Sequence, residues 1–422
     1  MNSYIRKAGL AVMLLGGLAA AGCGSHAGGA GAEAAEISMK PGALRQVVAA
    51  DNAEGRTVMW QMEERTDAFV EYRETGREEV QRTAASVQFL KGNQGEDDRY
   101  IYEARLSGLT PGASYEYRTR AGRAASEWHT MRTDDGGPFT ALIFPDSQSS
   151  DYGVWKSTAD AGRLQAPDAA FFINMGDLVD NGQDEYQWQS WFSAAEPMIS
   201  EIPAAPLMGN HEAYSLDWKM AKPERFLAHF ALPENGDGDF PEEFYSFDWG
   251  DVHFTVLNTQ MEEMKAWHPD LLARELAWLR DDLARTEKPW KVVLMHKDPL
   301  QYRIASRPER QEGFSPEGTA FMPVFDEMGV DAVISAHLHT YRNRGRIYDF
   351  RRDVKGPLYI LSGVAGDVRY PNLWTDHAMD VTVAPQPETD NFMTMEAGKD
   401  RLVFRAFLTD GTLIDEAEVH KP

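Results

Sequence analysis

Cysteine is almost absent from this chain of 422 residues, in which Cys23 is the only one. No disulfide can therefore form within the protein, whichever compartment it occupies. Basic residues are also scarce, since 42 Lys and Arg stand against 66 Asp and Glu, which gives a formal net charge of -24. Proteins bind nucleic acid through basic stripes that neutralise phosphates, so we expect no nucleic acid partner.

Long hydrophobic runs are lacking too. The apolar run Ala8–Ala21 is too short to span a bilayer, and it follows the basic residues Arg6 and Lys7, as in a targeting segment that takes no part in the fold. It ends in small residues directly before Cys23, which resembles a bacterial lipoprotein signal. The resemblance implies a signal peptide at 1–22, lipidation of Cys23, and an exported protein that meets the membrane only through this anchor, on the periplasmic or outer surface of the cell envelope. The alternative is an ordinary secretory signal with a chance cysteine.

The remaining composition is that of a folded protein. Of all residues 43% are hydrophobic and 11% aromatic, which is enough to bury a sizeable core, and the length suits two domains. Residues 23–36 are small and have nothing to pack, so they predict a flexible tether. Residues 37–133 alternate polar and apolar side chains between turn signals, as the strands of a β-sandwich do. After the Gly-rich linker at 134–138, strands alternate with helices in residues 138–422, which favours an α/β domain with mixed sheets.

In the second domain, five short apolar runs, typical of buried strands, each end at a residue type that binds metal ions. The residues after these runs are Asp146, Asp177, Asn210-His211, His296 and His337-Leu338-His339. Ligands bind at the carboxyl ends of the strands in open α/β sheets. We therefore expect the five runs to deliver their polar side chains to one site.

In this order, the blocks that contain these residues resemble the five-block signature of the calcineurin-like metallophosphoesterases. The blocks are Asp146-Ser147-Gln148, Gly176-Asp177, Gly209-Asn210-His211-Glu212, His296 and His337-Leu338-His339. Any one block is common in proteins. All five in the right order, each at a strand end, form a specific signal.

The N-terminal segment adds to this resemblance. Leu109, Pro111 and Tyr115 resemble a tyrosine corner, which is a feature of immunoglobulin-like sandwiches. The segment is similar to the fibronectin type III-like module that precedes the catalytic domain of purple acid phosphatases, which belong to the same superfamily. The resemblance implies a four-layer α/β/β/α metallophosphoesterase sandwich at 138–422. Before it, at 37–133, would lie an all-β immunoglobulin-like domain that covers one side of its neighbour or helps to shape a substrate cleft.

The resemblance also implies a site for two metal ions, with divalent zinc, manganese or iron as the candidates. Asp177 would bridge the two ions. The remaining ligands would be Asp146 and His339 at the first ion, and Asn210, His296 and His337 at the second. Two metals about 3.5–4 Å apart clamp the attacking and the leaving oxygen of a phosphate ester, and a hydroxide that bridges them attacks the phosphorus.

His211 follows the ligand Asn210 but is not itself assigned to a metal. The matching histidine of the family stabilises the transition state or protonates the leaving oxygen, and histidine is the usual proton donor near neutral pH. The alternative for His211 is a supporting residue without a proton role. Glu212 is expected to orient His211, and Tyr214 and Tyr341, which follow two of the blocks, are expected to wall the substrate pocket.

Two positions depart from the family pattern. Purple acid phosphatases have a tyrosine three residues after the bridging aspartate, whose bond to ferric iron gives their colour, and this chain has Asp180 there. Asp180 is therefore either a metal ligand, or a solvated loop carboxylate or helix cap. Other members have a histidine two residues after the first aspartate, where this chain has Gln148, whose side-chain carbonyl either binds the first metal or holds the bridging water. Both differences bear on metal identity and leave the shared ligand set intact.

In function, the resemblance implies a dinuclear metal-dependent hydrolase of small-molecule phosphate esters. A phosphomonoesterase is favoured, and a phosphodiesterase or nucleotidase is the alternative. The catalytic set would be Asp177, His211 and Glu212. The hypothesis from another class is a non-catalytic binding lipoprotein, whose second domain would be only a scaffold. Such a domain is expected to have lost metal ligands, whereas this chain retains all of the shared set.

Overall fold

The structure is a computed structural model, and it describes residues 41–385 and 389–421. The predicted signal peptide at 1–22, the tether at 23–36 and the lipidated Cys23 lie outside the described residues. Within the two described ranges, no helix is long and apolar enough to cross a membrane.

The N-terminal part is built from strands. The strands β1 to β9 are Gly42–Val47, Arg56–Met62, Ala68–Glu74, Gln81–Ala84, Ser86–Leu90, Arg99–Leu106, Ser114–Ala121, Ala124–Ala125 and His129–Arg132. Strands β1, β2, β6 and β5 lie side by side in one sheet, and β4, β3, β7, β8 and β9 form a second one. Burial alternates along β7, as expected where one face packs on a core and the other meets water. The prediction of a β-rich N-terminal domain is confirmed.

The turn before β7 has the geometry of a tyrosine corner. The hydroxyl of Tyr115 accepts a 2.8 Å hydrogen bond from the backbone N–H of Thr110. Leu109 is buried beside it, and Gly112 has a φ of 70°, which a residue with a Cβ rarely adopts. Leu109 and Tyr115 are two of the three residues on which the sequence predicted this feature.

Beyond the linker, strands alternate with helices. The strands β10 to β25 are Phe139–Phe144, Phe171–Asn174, Ala204–Pro206, Tyr245–Trp249, Val252–Val256, Trp290–Leu294, Leu300–Gln301, Gly313–Phe314, Ala332–Ser335, Tyr341–Tyr348, Arg351–Arg352, Leu358–Ser362, Thr382–Val383, Asn391–Ala397, Arg401–Leu408 and Leu413–His420. The helices α1 to α7 are Tyr152–Gln165, Glu185–Ala195, Met198–Glu201, Glu224–His229, Met261–Met264, Leu271–Arg285 and Pro316–Met328.

Two large sheets position the site. The first has the strand order β25-β24-β23-β10-β11-β12-β1-β2-β6-β5, and the second has the order β13-β14-β15-β18-β21-β19-β20, with β22 beside β19. In the first sheet β10, β11 and β12 run parallel, with Phe172 opposite both Leu142 and Ala204. In the second sheet β14, β15, β18 and β21 run parallel. The carboxyl ends of parallel strands meet at one edge of each sheet.

The two sheets face each other across an aromatic core. Phe171 of β11 packs against Phe247 and Phe254 of the second sheet, at ring-centroid distances of 5.6 and 5.5 Å. On the other side of the first sheet, Phe144 meets Trp155 of α1 at 5.0 Å. The outer face of the second sheet packs on α6 and α7 through buried Leu and Phe side chains. The order is therefore helix, sheet, sheet, helix, as the predicted four-layer sandwich requires.

The two domains share one sheet, which the sequence did not predict. Strand β1 pairs in parallel with β12 through Val47 and Ala204, and the N–H of Val48 donates to the carbonyl of Ala204 at 3.1 Å. In the linker, the carboxylate of Asp134 accepts a 2.8 Å hydrogen bond from the N–H of Gly250. An alternating pattern says which face of a strand is buried but not which strand lies beside it.

Candidate metal centre

The five ligand-bearing loops leave the sheets at the edges where the parallel strands end. Strand β10 ends two residues before Asp146, β11 ends three residues before Asp177, and the loop after β12 carries Asn210. Strands β15 and β18 each end two residues before a histidine, His296 and His337 respectively. Because the two sheets pack face to face, the side chains from both edges meet.

The predicted ligands form two adjoining groups, each able to hold one metal ion, and the candidate ligand atoms of each group lie within 4.8 Å of one another. The groups are Asp146, Asp177 and His339, and Asp177, His296 and His337. Asp177 belongs to both. Nε2 of His296 is 3.2 Å from Oδ2 of Asp177 and 3.2 Å from Oδ1 of Asn210, so Asn210 lies with the second group.

Three of these ligands adopt a left-handed backbone conformation, which is rare for residues other than glycine. The φ angle is 49° at Asp177, 76° at His337 and 53° at His339. Such strain concentrates at functional sites, where the surrounding structure holds it in place. A Cβ atom on Gly209 would lie 2.2 Å from Oδ1 of Asp177, so the close approach of these two loops requires glycine.

Two of the histidines are held from outside the site. The Nδ1 atom of His296 donates to the carbonyl of Met175 at 2.8 Å, and that of His339 donates to the carbonyl of Val368 at 2.8 Å. Such bonds fix the tautomer and the ring orientation of metal-binding histidines. They leave Nε2 of both rings on the side of the aspartates.

Several atoms of the site are buried without a hydrogen-bond partner. They are Oδ2 of Asp146, Nδ1 of His337 and both amide atoms of the Gln148 side chain. Oδ1 of Asp146, in contrast, accepts a 3.0 Å bond from the N–H of His337. A buried polar atom without a partner costs about 1–3 kcal/mol. Converging carboxylate, imidazole and amide groups with free donor atoms suit divalent zinc, manganese or iron, so the residues present fit two metal ions.

The pKa shifts of the candidate ligands also favour a metal site. Burial raises the pKa of Asp177, but the neighbouring histidines, His296 first, outweigh it and hold that pKa well below its usual range. Burial lowers the pKa of His296, but Asp177 outweighs it and raises the pKa to about 9. Burial and the charge of His296 lower the pKa of His337 to about 3. The proton on His296 therefore occupies a place where a metal ion would supply the positive charge instead.

His211 lies beside the ligands without joining either group. Its backbone N–H donates to Oδ1 of Asp177 at 2.8 Å, and Nδ1 donates to the backbone carbonyl of Asp180 at 2.6 Å. Nε2 makes no hydrogen bond to a residue in the described part of the chain, so this atom is available to a ligand of the site. Burial lowers the pKa of His211, but Asp177 and the bond to Asp180 outweigh it and raise the pKa above its ordinary value.

Glu212, predicted to orient His211, has a different role. Its buried carboxylate accepts hydrogen bonds from the backbone N–H groups of Asp177, Leu178 and Gly209, at 3.0, 2.8 and 2.7 Å. These bonds tie the loop after β11 to the loop after β12 and thereby position Asp177. The predicted role is corrected accordingly, since a backbone carbonyl orients the imidazole of His211 instead.

The two positions that depart from the family pattern lie at different depths. Gln148 is fully buried. Its backbone N–H donates to the carbonyl of Asp177 at 2.9 Å, which places Gln148 beside the loop of that aspartate. Asp180 lies at the rim with its side chain 34% exposed, and its Oδ1 is 3.7 Å from Nδ1 of His211. Asp180 belongs to neither ligand group. Metal binding by Gln148 and by Asp180 stays a prediction.

Of the two tyrosines predicted to wall the pocket, only Tyr214 lies at the site, with its ring centroid 5.6 Å from that of His211. Tyr341 is 1% exposed, and its hydroxyl donates to Asp415 at 2.8 Å, between β19 and β25. The prediction for Tyr341 is wrong, because the first residue of β19 points its side chain into the protein interior.

Two further residues next to the histidines escaped sequence reasoning. The ring of Tyr370 packs on His339 at a centroid distance of 4.8 Å and is 37% exposed. The indole N–H of Trp374 donates at 2.8 Å to the carbonyl of Leu338, between the two histidines of that block. Neither residue directly follows a strand or belongs to one of the five blocks, so no signal in the sequence marked them.

Comparison with known families agrees with this geometry. Residues 140–341 match the family described as calcineurin-like phosphoesterase, and residues 41–133 match the one described as purple acid phosphatase, N-terminal domain. The chain thus contains a calcineurin-like phosphoesterase domain. Before it lies a domain of the family found at the N-terminus of purple acid phosphatases.

Individual relatives come from plants and animals. The chain is 28% identical over 320 residues to purple acid phosphatase 15 of Arabidopsis thaliana, a match that covers 68% of this chain and 57% of the other. It is 26% identical over 351 residues to acid phosphatase type 7 of Danio rerio, with 73% and 75% covered. The chain spans 57% to 63% of the length of three Arabidopsis purple acid phosphatases that it matches.

Solved structures share the fold. Purple acid phosphatase PPD1 from yellow lupin (Lupinus luteus) seeds superposes with a TM-score of 0.74 at 16% identity, over 90% of this chain and 74% of the other. The structure of PhoD superposes with a TM-score of 0.63 at 11% identity, over 90% and 89%. At these identities the likeness shows the architecture alone.

Proposed function

We propose that this protein hydrolyses phosphate esters at a dinuclear metal centre, with phosphate monoesters as its preferred substrates. The observation that carries the proposal is the membership of Asp177 in both ligand groups, because a shared carboxylate holds two metal ions side by side. The names of the relatives, purple acid phosphatases and an acid phosphatase, support a monoester.

When bound, two divalent cations supply a water of lowered pKa and neutralise the phosphoryl oxygens. The chain contributes the charge balance around them. Asp146 and Asp177 bring two negative charges, whereas the remaining ligands, Asn210, His296, His337 and His339, are neutral when they bind a metal. The pocket therefore stays attractive to an anion although the chain as a whole has a net charge of -24.

His211 is placed to act on the leaving group. The bond from Nδ1 to the carbonyl of Asp180 fixes the ring and leaves Nε2 as the atom that holds or gives up a proton. Despite burial, the pKa of His211 is raised above its ordinary value, chiefly by the charge of Asp177, which increases the protonated fraction that a general acid needs. Because the backbone N–H of His211 bonds to Asp177, a phosphoryl group at the metal centre would lie near the imidazole.

The test is metal analysis of the purified protein, followed by a screen of mono- and diesters. We expect two metal ions per chain, faster turnover of monoesters than of diesters, loss of activity with a chelator and its return with zinc, manganese or iron. Faster turnover of diesters would instead assign a phosphodiesterase. Protein that holds both metals and hydrolyses no ester would contradict the proposal and favour the binding lipoprotein.

We further propose that the protein is exported and held in the cell envelope by a lipid on Cys23. The support is the lone cysteine after small residues, preceded by a short apolar run and two basic residues. Cys23→Ser should move the protein from the membrane fraction to the soluble fraction with unchanged activity per molecule. Unchanged membrane fractionation of this variant would contradict the anchor.

A further inference from the structure

A short hairpin at 214–220 follows His211, and its two ends pair as an isolated bridge. The N–H of Ser215 donates to the carbonyl of Lys219 at 2.7 Å, which closes the hairpin. The side-chain amide of Asn181 donates to the carbonyl of Ser215 at 2.7 Å. Because Asn181 lies in the loop that follows Asp177, the hairpin is fixed to the metal site.

Trp218 stands at the tip of this hairpin and is 56% exposed. Its backbone has a φ of 60°, and its N–H donates to the carbonyl of Ser215 at 2.8 Å, so the turn holds it in the left-handed region. Its ring centroid lies 6.0 Å from that of His211 and 6.2 Å from that of Tyr214. Tyr214 is itself 5.6 Å from His211. The three rings are therefore mutual neighbours, with the rings of Tyr214 and Trp218 tilted by 46° to each other and both nearly perpendicular to the imidazole.

The conformation and the exposure of Trp218 are both unfavourable in free energy, which indicates that this residue has a binding role. A bulky residue in the left-handed region is a steric outlier, and an exposed indole leaves a large apolar surface in water. Leu216 and Met220 of the same hairpin are also exposed, at 42% and 52%, but neither side chain has a ring that could stack on a ligand. Exposed apolar surface rimmed by polar residues marks places where proteins bind partners or ligands. The contact with His211 favours a ligand of the metal site.

We propose that Trp218 and Tyr214 form a platform for a planar ring on the alcohol side of the phosphate ester, so that the preferred substrates are monoesters with an aromatic group. The inference rests on the proposed function, because His211 marks the side on which the alcohol leaves. A ring that lies on Trp218 has its ester oxygen next to the imidazole. Stacking on the indole then also orients that oxygen toward the proton donor.

Two kinds of monoester present such a ring. In an aryl phosphate the ring carries the ester oxygen itself, whereas in a nucleoside 5′-monophosphate a ribose separates the base from the ester oxygen. Because the platform directly adjoins His211, the feature that both kinds of ester share is a planar ring near the phosphate. The two sources are separated by comparing phenyl phosphate with a nucleoside 5′-monophosphate, and glycerol phosphate provides the ester without a ring.

The experiment compares kcat/KM of the metal-loaded wild type and Trp218→Ala on these three esters. We expect Trp218→Ala to lose roughly 3- to 10-fold on the ring-bearing ester that fits, which corresponds to one aromatic contact, and to change little on glycerol phosphate. Phenylphosphonate should inhibit the wild type more strongly than methylphosphonate, and Trp218→Ala should remove this preference. Trp218→Phe, which keeps a ring, should restore most of it.

Leu216→Ala is the matched control, since it removes another exposed apolar side chain from the same hairpin. An equal loss in Leu216→Ala, or an equal loss on all three esters, would overturn the inference while leaving the esterase function standing. Loss of vesicle binding by Trp218→Ala with unchanged ester preference would overturn it in favour of a membrane contact. A wild type that hydrolyses no ester would defeat the proposed function itself.

Discussion

The backbone N–H of His211 donates a 2.8 Å hydrogen bond to Oδ1 of Asp177. His211, the proposed proton donor, and the carboxylate shared by both ligand groups are thus joined through the main chain. Replacement of the imidazole does not remove this donor. The two proposed roles, metal binding by Asp177 and action on the substrate by His211, can therefore be tested separately by mutation.

Asp177→Asn removes one negative charge from both ligand groups while it keeps the shape of the side chain. We expect metal content and turnover to fall together, by at least about 10–100-fold in affinity or activity, as for lost ligands in other metal sites. Asp180→Asn is the comparison, because Asp180 belongs to neither ligand group, and a loss of metal in that variant as well would assign Asp180 as a further ligand. Elemental analysis with kinetics measures this, and full activity in Asp177→Asn would refute a dinuclear mechanism.

His211→Ala should behave differently, because the side chain of His211 belongs to neither ligand group and the backbone bond to Asp177 is kept. We expect both metals to remain bound and turnover to fall by roughly 10²–10⁴-fold, the usual contribution of a positioned acid. The loss should be smaller for a nitrophenyl ester, whose leaving group needs no proton. Equal losses for good and poor leaving groups would leave His211 only the electrostatic role.

Asp180 stands where purple acid phosphatases carry the tyrosine that binds ferric iron, so we expect the active protein to be colourless and to hold two divalent ions. The structure adds a tyrosine that the sequence did not indicate, since the ring of Tyr370 lies 4.8 Å from that of His339. Visible absorption of iron-loaded protein measures this. A strong band would contradict the prediction, and its loss in Tyr370→Phe would identify the residue that reaches the iron.

His253 gives a prediction about stability and pH away from the metals. Its Nδ1 is 2.7 Å from Asp248 and its Nε2 is 2.9 Å from Asp282, across β13, β14 and α6. Burial lowers the pKa of His253, but the two carboxylates outweigh it and raise the pKa to about 9. A histidine with a raised pKa stabilises the fold fully below its unfolded value of about 6.5, and this contribution is lost as the pH rises through about 9.

His253→Gln should therefore lower the free energy of unfolding most at about pH 6, by about 3 kcal/mol at the upper limit, and progressively less toward about pH 10. Denaturant titration at several pH values measures the difference from wild type. His420→Gln, on an exposed strand end, is the control and should change little. A pH-independent difference for His253→Gln would show that packing, not charge, accounts for the loss.

The ligand positions could be predicted because each follows a short run of buried apolar residues. Val293 and Leu294 are followed by His296, and Ile334 and Ser335 by His337, so strand ends and metal ligands were visible together. The rule that parallel strands present ligands at their carboxyl ends then placed them at one edge of a sheet. The strain at His337 had no such signal, because backbone conformation depends on the loop's contacts.

The roles of the residues around the ligands could not be predicted from the sequence, and the reason is physical. The carboxylate of Glu212 accepts hydrogen bonds from three backbone N–H groups. Nearly every residue has such a donor, so residue types do not indicate which of them a side chain will bind. Tyr341 was expected in the pocket because it follows the ligand block closely, but one residue along a strand reverses the side to which a side chain points. Tyr370 reaches His339 from a loop, and sequence distance says nothing about such an approach.

The parallel pair of β1 and β12 has a consequence for how the chain can be divided. Without residues 41–133, the three-residue strand β12 would present its unpaired N–H and C=O groups as a sheet edge, and open edges associate with other chains. The isolated second domain should therefore aggregate rather than serve as a minimal enzyme. In the intact protein, where one sheet runs through both halves, we expect the two halves to melt together.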